Sequence, residues 1–103
     1  MREAILSRVK EAVLSIEPSA EIILYGSRAR TDFREYSDWD FLILMDGPVD
    51  IARTERIRRA LFDVELDTDQ VISSITRNRQ EWNSEKYSVV PLHRNVEREG
   101  IHI

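Results

Sequence analysis

The stretch Leu24-Tyr25-Gly26-Ser27-Arg28-Ala29-Arg30, followed by Ser37-Asp38-Trp39-Asp40, decides how the chain is read. Just before it, Glu21-Ile22-Ile23-Leu24-Tyr25 is a short, apolar, β-rich run, as expected of a buried strand. Gly26-Ser27 breaks that strand. Glycine lets the backbone approach an anion closely. The Ser27 hydroxyl and the N–H groups of a following helical turn can bond phosphate oxygens. Further on, Trp39-Asp40-Phe41-Leu42-Ile43-Leu44-Met45 is the strongest strand pattern in the chain. Beyond Asp40 it is almost continuously apolar, as for a central strand covered on both faces. Asp38 and Asp40 stand two apart at its entrance, so their side chains point to one face. Two adjacent anions are unfavourable unless water or a cation separates them. Hard divalent ions such as Mg²⁺ favour carboxylate oxygens and keep substrate phosphates as further ligands. The pair reads as a metal site beside a phosphate cradle at Gly26 and Ser27, with Arg28 and Arg30 placed to neutralise phosphate charge.

The rest of the chain has to build a domain around that stretch. Its 103 residues suffice for a single domain, residues 1–103, with one core. With 42% apolar and 33% charged residues, the composition is that of a soluble globular domain and is too apolar for a disordered chain. No apolar run is long enough to span a membrane, and Met1-Arg2-Glu3-Ala4 opens a charged amphipathic pattern, unlike a signal peptide. The absence of cysteine excludes disulfides and thiolate metal sites, and the expected location is cytoplasmic. A net charge of −4 argues against direct binding of nucleic-acid backbone. Thirteen of the fifteen basic residues are arginine, which suits bidentate contact with phosphate or carboxylate but equally reflects the source of the sequence.

Working outward, residues 2–16 carry Ile5, Val9, Ala12, Val13 and Ile16 at helical spacing, and Pro18 stops the helix. Ser27 opens a helical turn, and residues 32–37 read as a polar loop. Asp50 caps a helix over about 51–62, with Ile51, Ile57, Leu61 and Phe62 inward and Arg53, Arg56, Arg58 and Arg59 outward. Residues 64–75 are β-rich, and their alternation sets Val64 and Leu66 against Glu65, Asp67 and Asp69. Asn78-x-x-Glu81 resembles a capping box for a short helix containing Trp82. Tyr87 to Val90 reads as extended, and Pro91 to Glu99 as a last helix ended by Gly100. The expected fold is α/β (α+β), a small mixed sheet of about three to four strands flanked by helices. A third carboxylate from a neighbouring strand would complete a two-metal site; Glu65, Asp67 and Asp69 are the candidates.

Other chemistries have less behind them. There is no Gly-x-x-x-x-Gly-Lys loop. No Gly-x-Ser-x-Gly is present and Ser27 has no nearby histidine, so a serine hydrolase is rejected. His93 and His102 lack ligand spacing, and the arginines 53, 56, 58 and 59 read first as a solvated helix face. Ile101 and Ile103, after the last helix, suit either closure of the core or a homo- or hetero-oligomeric interface.

Gly-Ser, a spacer of eleven residues between Gly26 and Asp38, then Asp-x-Asp leading a strand, resembles the minimal nucleotidyltransferase domains of the DNA polymerase β-like superfamily. The resemblance covers most of the chain, with Leu24 to Met45 as the family's core. It implies a nucleotidyltransferase-like mixed sheet and Mg²⁺-dependent transfer of a nucleoside monophosphate from a triphosphate, here AMP from ATP, to a hydroxyl. Asp38 and Asp40 would hold metal, and Gly26 and Ser27 the triphosphate. In several such small proteins the partner is a helical HEPN-type toxin, and the nucleotidyltransferase is its antitoxin, adding AMP to a toxin tyrosine. The alternative is a binding module that neutralises its partner by occlusion. Two departures stand out. Thr31 replaces a glycine frequent in the family. The family's third carboxylate falls at Asp69, with Asp67 in reserve, or else at Gln70, which would leave the set incomplete.

Overall fold

The computed structural model describes residues 2–30 and 37–103, and the side chains from residue 4 onward within them. The expected loop at 32–37, apart from Ser37, and the Thr31 position lie outside the described residues. Helix α1 (Arg2–Ile16) leads to strand β1 (Glu21–Tyr25), and a 3₁₀ turn follows at Ser27–Ala29. Then come β2 (Trp39–Met45), α2 (Ile51–Thr68), β3 (Ile72–Asn78), α3 (Arg79–Trp82), a second 3₁₀ turn at Glu85–Val89, α4 (Pro91–Glu99) and β4 (Ile101–His102). The fold class is as expected: a four-stranded mixed sheet in the order β3-β2-β1-β4, flanked by helices. β1 is antiparallel to both β2 and β4, while β2 and β3 are parallel.

Strand alternation divides the core between the two faces of the sheet. On one face, Ile22, Leu24, Trp39, Phe41, Ile43 and Met45 meet Ile5, Val9 and Val13 of α1 and Ile57, Leu61 and Val64 of α2. On the other face, Ile23, Leu42 and Leu44 meet Trp82 and Val96. Both tryptophans are buried anchors of the core. His93 is also buried, its ring 4.7 Å from that of Trp82. Ile101 pairs with Leu24 in β4, and Ile103 packs into the first core, so the C-terminal residues close the sheet.

Four expectations need correction. The strand read at 64–75 is helical in its first half, because α2 runs on to Thr68 and β3 begins at Ile72. Ile57, Leu61, Val64 and Thr68 recur at helical spacing, and the first three are buried. That stripe, which crosses the supposed boundary, outweighs the two-residue alternation of Val64 and Leu66; Leu66 is in fact 67% exposed. Ile51 and Phe62, expected inward, are 83% and 56% exposed. Arg53, expected outward, makes a two-pronged ion pair with Glu17 (2.8 and 2.7 Å) and also donates to the carbonyls of Asp46 and Pro48. Last, Tyr87 lies in a 3₁₀ turn and not in an extended segment. The caps are where the sequence places them. Asp50 accepts from the Arg53 N–H at 2.8 Å, and Asn78 from the Glu81 N–H at 2.9 Å.

Candidate active site

The site forms where β1 ends and β2 begins, because these strands are antiparallel neighbours. Tyr25 pairs with Asp40, which brings the Gly26-Ser27 turn against the Asp40 carboxylate. Gly26 has φ +74°, a conformation L side chains rarely adopt. A Cβ there would lie 2.5 Å from Asp40 Oδ2, so only glycine leaves the carboxylate its place. The 3₁₀ turn is closed by Ala29 N–H to Gly26 O and Arg30 N–H to Ser27 O, both at 3.1 Å. Its own bonds thus begin at Ala29, and the half-buried Ser27 stands at the open end of the turn.

Asp40 is half-buried and Asp38 exposed. Burial first, and the Asp38 charge second, hold the Asp40 carboxyl above the ordinary carboxylate range. Two neighbouring carboxylates, one of them half-buried against a glycine with no side chain, form a donor set that fits a hard divalent cation. Among the described residues no third carboxylate joins them. Among the described residues no group of three or more His, Cys, Asp or Glu could hold a metal ion. Asp69 is the left-handed C-cap of α2 (φ 56°), exposed and outside β3. Asp67 pairs with Arg8 at 2.5 Å. Glu65 Oε2 accepts from the Ile72 N–H at 2.9 Å, and Gln70 Oε1 accepts from Trp39 Nε1 at 3.1 Å.

The parallel register decides what stands beside Asp40. Asp40 pairs with Ser73, so Tyr25, Asp40 and Ser73 form one row across three strands, on one face of the sheet. Ser73 is exposed and Tyr25 half-buried. Burial, then Asp40, push the Tyr25 hydroxyl's pKa up, while Arg77 opposes them. The sequence pattern does not single out Tyr25 or Ser73 as site residues. Tyr25 was legible as the residue before the Gly-Ser break. Ser73 was hidden by the misplaced boundary between α2 and β3.

Arg28 and Arg30 have protein partners. Arg28 is buried, its Nε donates to Ser37 O at 3.1 Å, and its guanidinium lies 4.5 Å from the centroid of the Trp39 ring. Arg28, Trp39 and Gln70 thus link the Gly-Ser turn to β2 and to the segment leading into β3. Arg30 Nη1 pairs with Glu99 Oε2 at 3.0 Å, which ties the same turn to α4.

A family model described as a nucleotidyltransferase domain matches residues 6–97, nearly the whole chain. The chain belongs to the nucleotidyltransferase domain family. No curated protein matches it. Among the described residues no helix is long and apolar enough to cross a membrane.

Proposed function

We propose that residues 1–103 act as one nucleotidyltransferase domain that moves AMP from ATP to a hydroxyl of a protein partner, in the cytoplasm, as the antitoxin of a HEPN-type toxin. The observation that carries this reading is the placement of Gly26 directly against the Asp40 carboxylate, with Asp38 beside it. Asp38 and Asp40 would hold Mg²⁺, and the Gly26-Ser27 turn would receive the phosphates. When bound, the cation supplies positive charge against the phosphate oxygens. In the reaction the acceptor oxygen bonds to the α-phosphorus, the bond to pyrophosphate breaks, and the acceptor proton leaves to solvent. Arg28 and Arg30 act by positioning: they hold the turn through Trp39, Ser37 and Glu99. Asp69, the first choice for a third ligand from the sequence, is outside β3, and Ser73 occupies the position beside Asp40.

That same serine favours a second reading. A hydroxyl brings no negative charge to offset a second cation, which suits a domain that binds nucleotide weakly and neutralises its partner by occlusion. One experiment separates the two. The toxin partner is incubated with α-labelled ATP and Mg²⁺, beside the wild-type protein or an Asp38→Ala/Asp40→Ala variant. Label on the partner with wild type alone supports transfer. No label, together with full neutralisation by the variant, supports occlusion and sinks the enzyme reading.

A further inference from the structure

β3 is the edge of the sheet next to the Asp40 row, with β2 as its neighbour on one side and no described strand on the other. It runs seven residues, Ile72-Ser-Ser-Ile-Thr-Arg-Asn, without proline, lysine or glycine to blunt the edge. The Val71 carbonyl accepts from the Trp39 N–H at 2.9 Å, which fixes the phase of the strand: Val71, Ser73 and Ile75 turn toward β2, and Ile72, Ser74 and Thr76 turn outward. Two outward groups are already engaged, the Ile72 N–H by Glu65 and the Thr76 carbonyl by Arg77 Nη1 at 2.8 Å. Among the described residues, the Ile72 C=O, the Ser74 N–H and C=O and the Thr76 N–H remain for an added strand.

The edge has walls on both sides. A groove of about 840 Å³ is lined by Arg58, Thr54, Thr76, Arg77 and Tyr87, and a second of about 690 Å³ by Phe62, Arg59, Ile72 and Ser73. Ser74 and Arg58 line both. The chemistry of such an edge is that of an extended polypeptide, since backbone donors and acceptors repeat at strand spacing. Charge differs along it. At the Arg77 end Arg58 and Arg77 face Glu81, a net positive balance, whereas at the Ser73 end Glu55, Asp63 and Glu65 outweigh Arg58 and Arg59.

We infer that an extended segment of the protein acceptor adds to β3 as a fifth strand and lays its hydroxyl-bearing residue beside Ser73, with an acidic residue beside Arg77. This docking mode rests on the transfer reading above and extends it to the form of the substrate. Ser73 and Arg77 share a face and are four residues apart, so the two peptide residues stand roughly 13 Å from each other. An added strand would lie two strand spacings, about 10 Å, from the column of Asp40. The small Ser73 side chain leaves that path open to a long hydroxyl side chain reaching back to the carboxylates.

The test uses the full chain and a fluorescent peptide of alternating threonine and valine, with a tyrosine placed four residues before or after a glutamate. Ser74→Pro removes an outward N–H at a position where an edge strand tolerates proline. Arg77→Glu is the second variant, should the first not fold. Wild type is expected to bind the peptide by fluorescence anisotropy, and each variant to bind at least about tenfold more weakly, the effect of losing one or two directed contacts. A peptide with lysine for glutamate restores binding to Arg77→Glu. The melting shift produced by Mg-ATP, read separately, is unchanged in Ser74→Pro; that shift, and not the peptide binding, reports on the nucleotide site. A wild-type chain that ignores both peptide orientations, or variants that bind as well as wild type, overturns the docking mode.

Discussion

Ser73 stands directly beside Asp40 on the neighbouring parallel strand. A hydroxyl therefore occupies the place from which a third carboxylate would complete the Asp38/Asp40 pair. Ser73→Asp should raise the affinity for Mg²⁺ and the transfer rate at limiting Mg²⁺, by about tenfold or more, because a further anionic ligand strengthens a hard-cation site. Without metal the same change should lower the melting temperature, since it sets another anion beside Asp40. Mg²⁺ titration of label transfer and of melting checks both effects. Transfer unaltered across the titration would show that Ser73 is not at the ligand position.

A Cβ at Gly26 would meet the Asp40 carboxylate, so its substitution is the sharpest local test. Gly26→Ala must leave φ +74° or push the Asp40 carboxylate aside. A strained backbone of this kind costs about 1–3 kcal/mol. Loss of the Mg-ATP melting shift should accompany that destabilisation. A variant that is destabilised but keeps the full shift would separate the turn from nucleotide binding.

Asp40 gives a pH dependence of defined sign. Its folded pKa is raised above the unfolded value, so the native state binds more protons than the unfolded chain between the two values. Stability from this group is therefore present at low pH and falls as pH rises through that window. Asp40→Asn removes the penalty and should melt at or above the wild-type temperature at neutral pH without metal. Glu17 runs the other way. The Arg53 hydrogen bond, as the leading cause, lowers its pKa. Its contribution is present above the unfolded pKa and lost as pH falls through the folded one. Melting curves across the acid range for wild type, Asp40→Asn and Glu17→Gln resolve the two opposed slopes.

Arg53 should be the costliest arginine to remove from α2. Its guanidinium holds both oxygens of Glu17 and two loop carbonyls, with side-chain exposures of 18% for Arg53 and 13% for Glu17. Breaking a mostly buried pair strands the other charge, so Arg53→Ala should cost about 2–3 kcal/mol, whereas the exposed Arg58 should cost below ~1 kcal/mol. Thermal melts of the two variants side by side check the ranking.

Much of this architecture is legible in the sequence, where local signals agree. Strand, Gly-Ser break and Asp-x-Asp strand coincide with β1, the 3₁₀ turn and β2, because burial on both faces of a central strand leaves an uninterrupted apolar run. The caps at Asp50 and Asn78 are local chemistry and stand as read. The residues around 64–70 were not legible. Val64-Glu65-Leu66-Asp67 alternates like a strand, yet Val64 continues the buried stripe of Ile57 and Leu61. Only packing against α1 and the sheet decides between the two periods. That one boundary carries Glu65, Asp67 and Asp69 away from the expected strand and brings Ser73 to Asp40. The ties of Arg28 to Trp39 and of Arg30 to Glu99 span residues far apart in the chain, and no local pattern announces them.

Gly26, Ser27, Asp38 and Asp40 are proposed to form one metal-nucleotide site. Calorimetric titration of ATP into the protein, with and without Mg²⁺, tests it most directly. A shared site predicts binding that depends on Mg²⁺ and disappears in the Asp38→Ala/Asp40→Ala variant. Binding that persists in that variant, or that is the same without Mg²⁺, would contradict it.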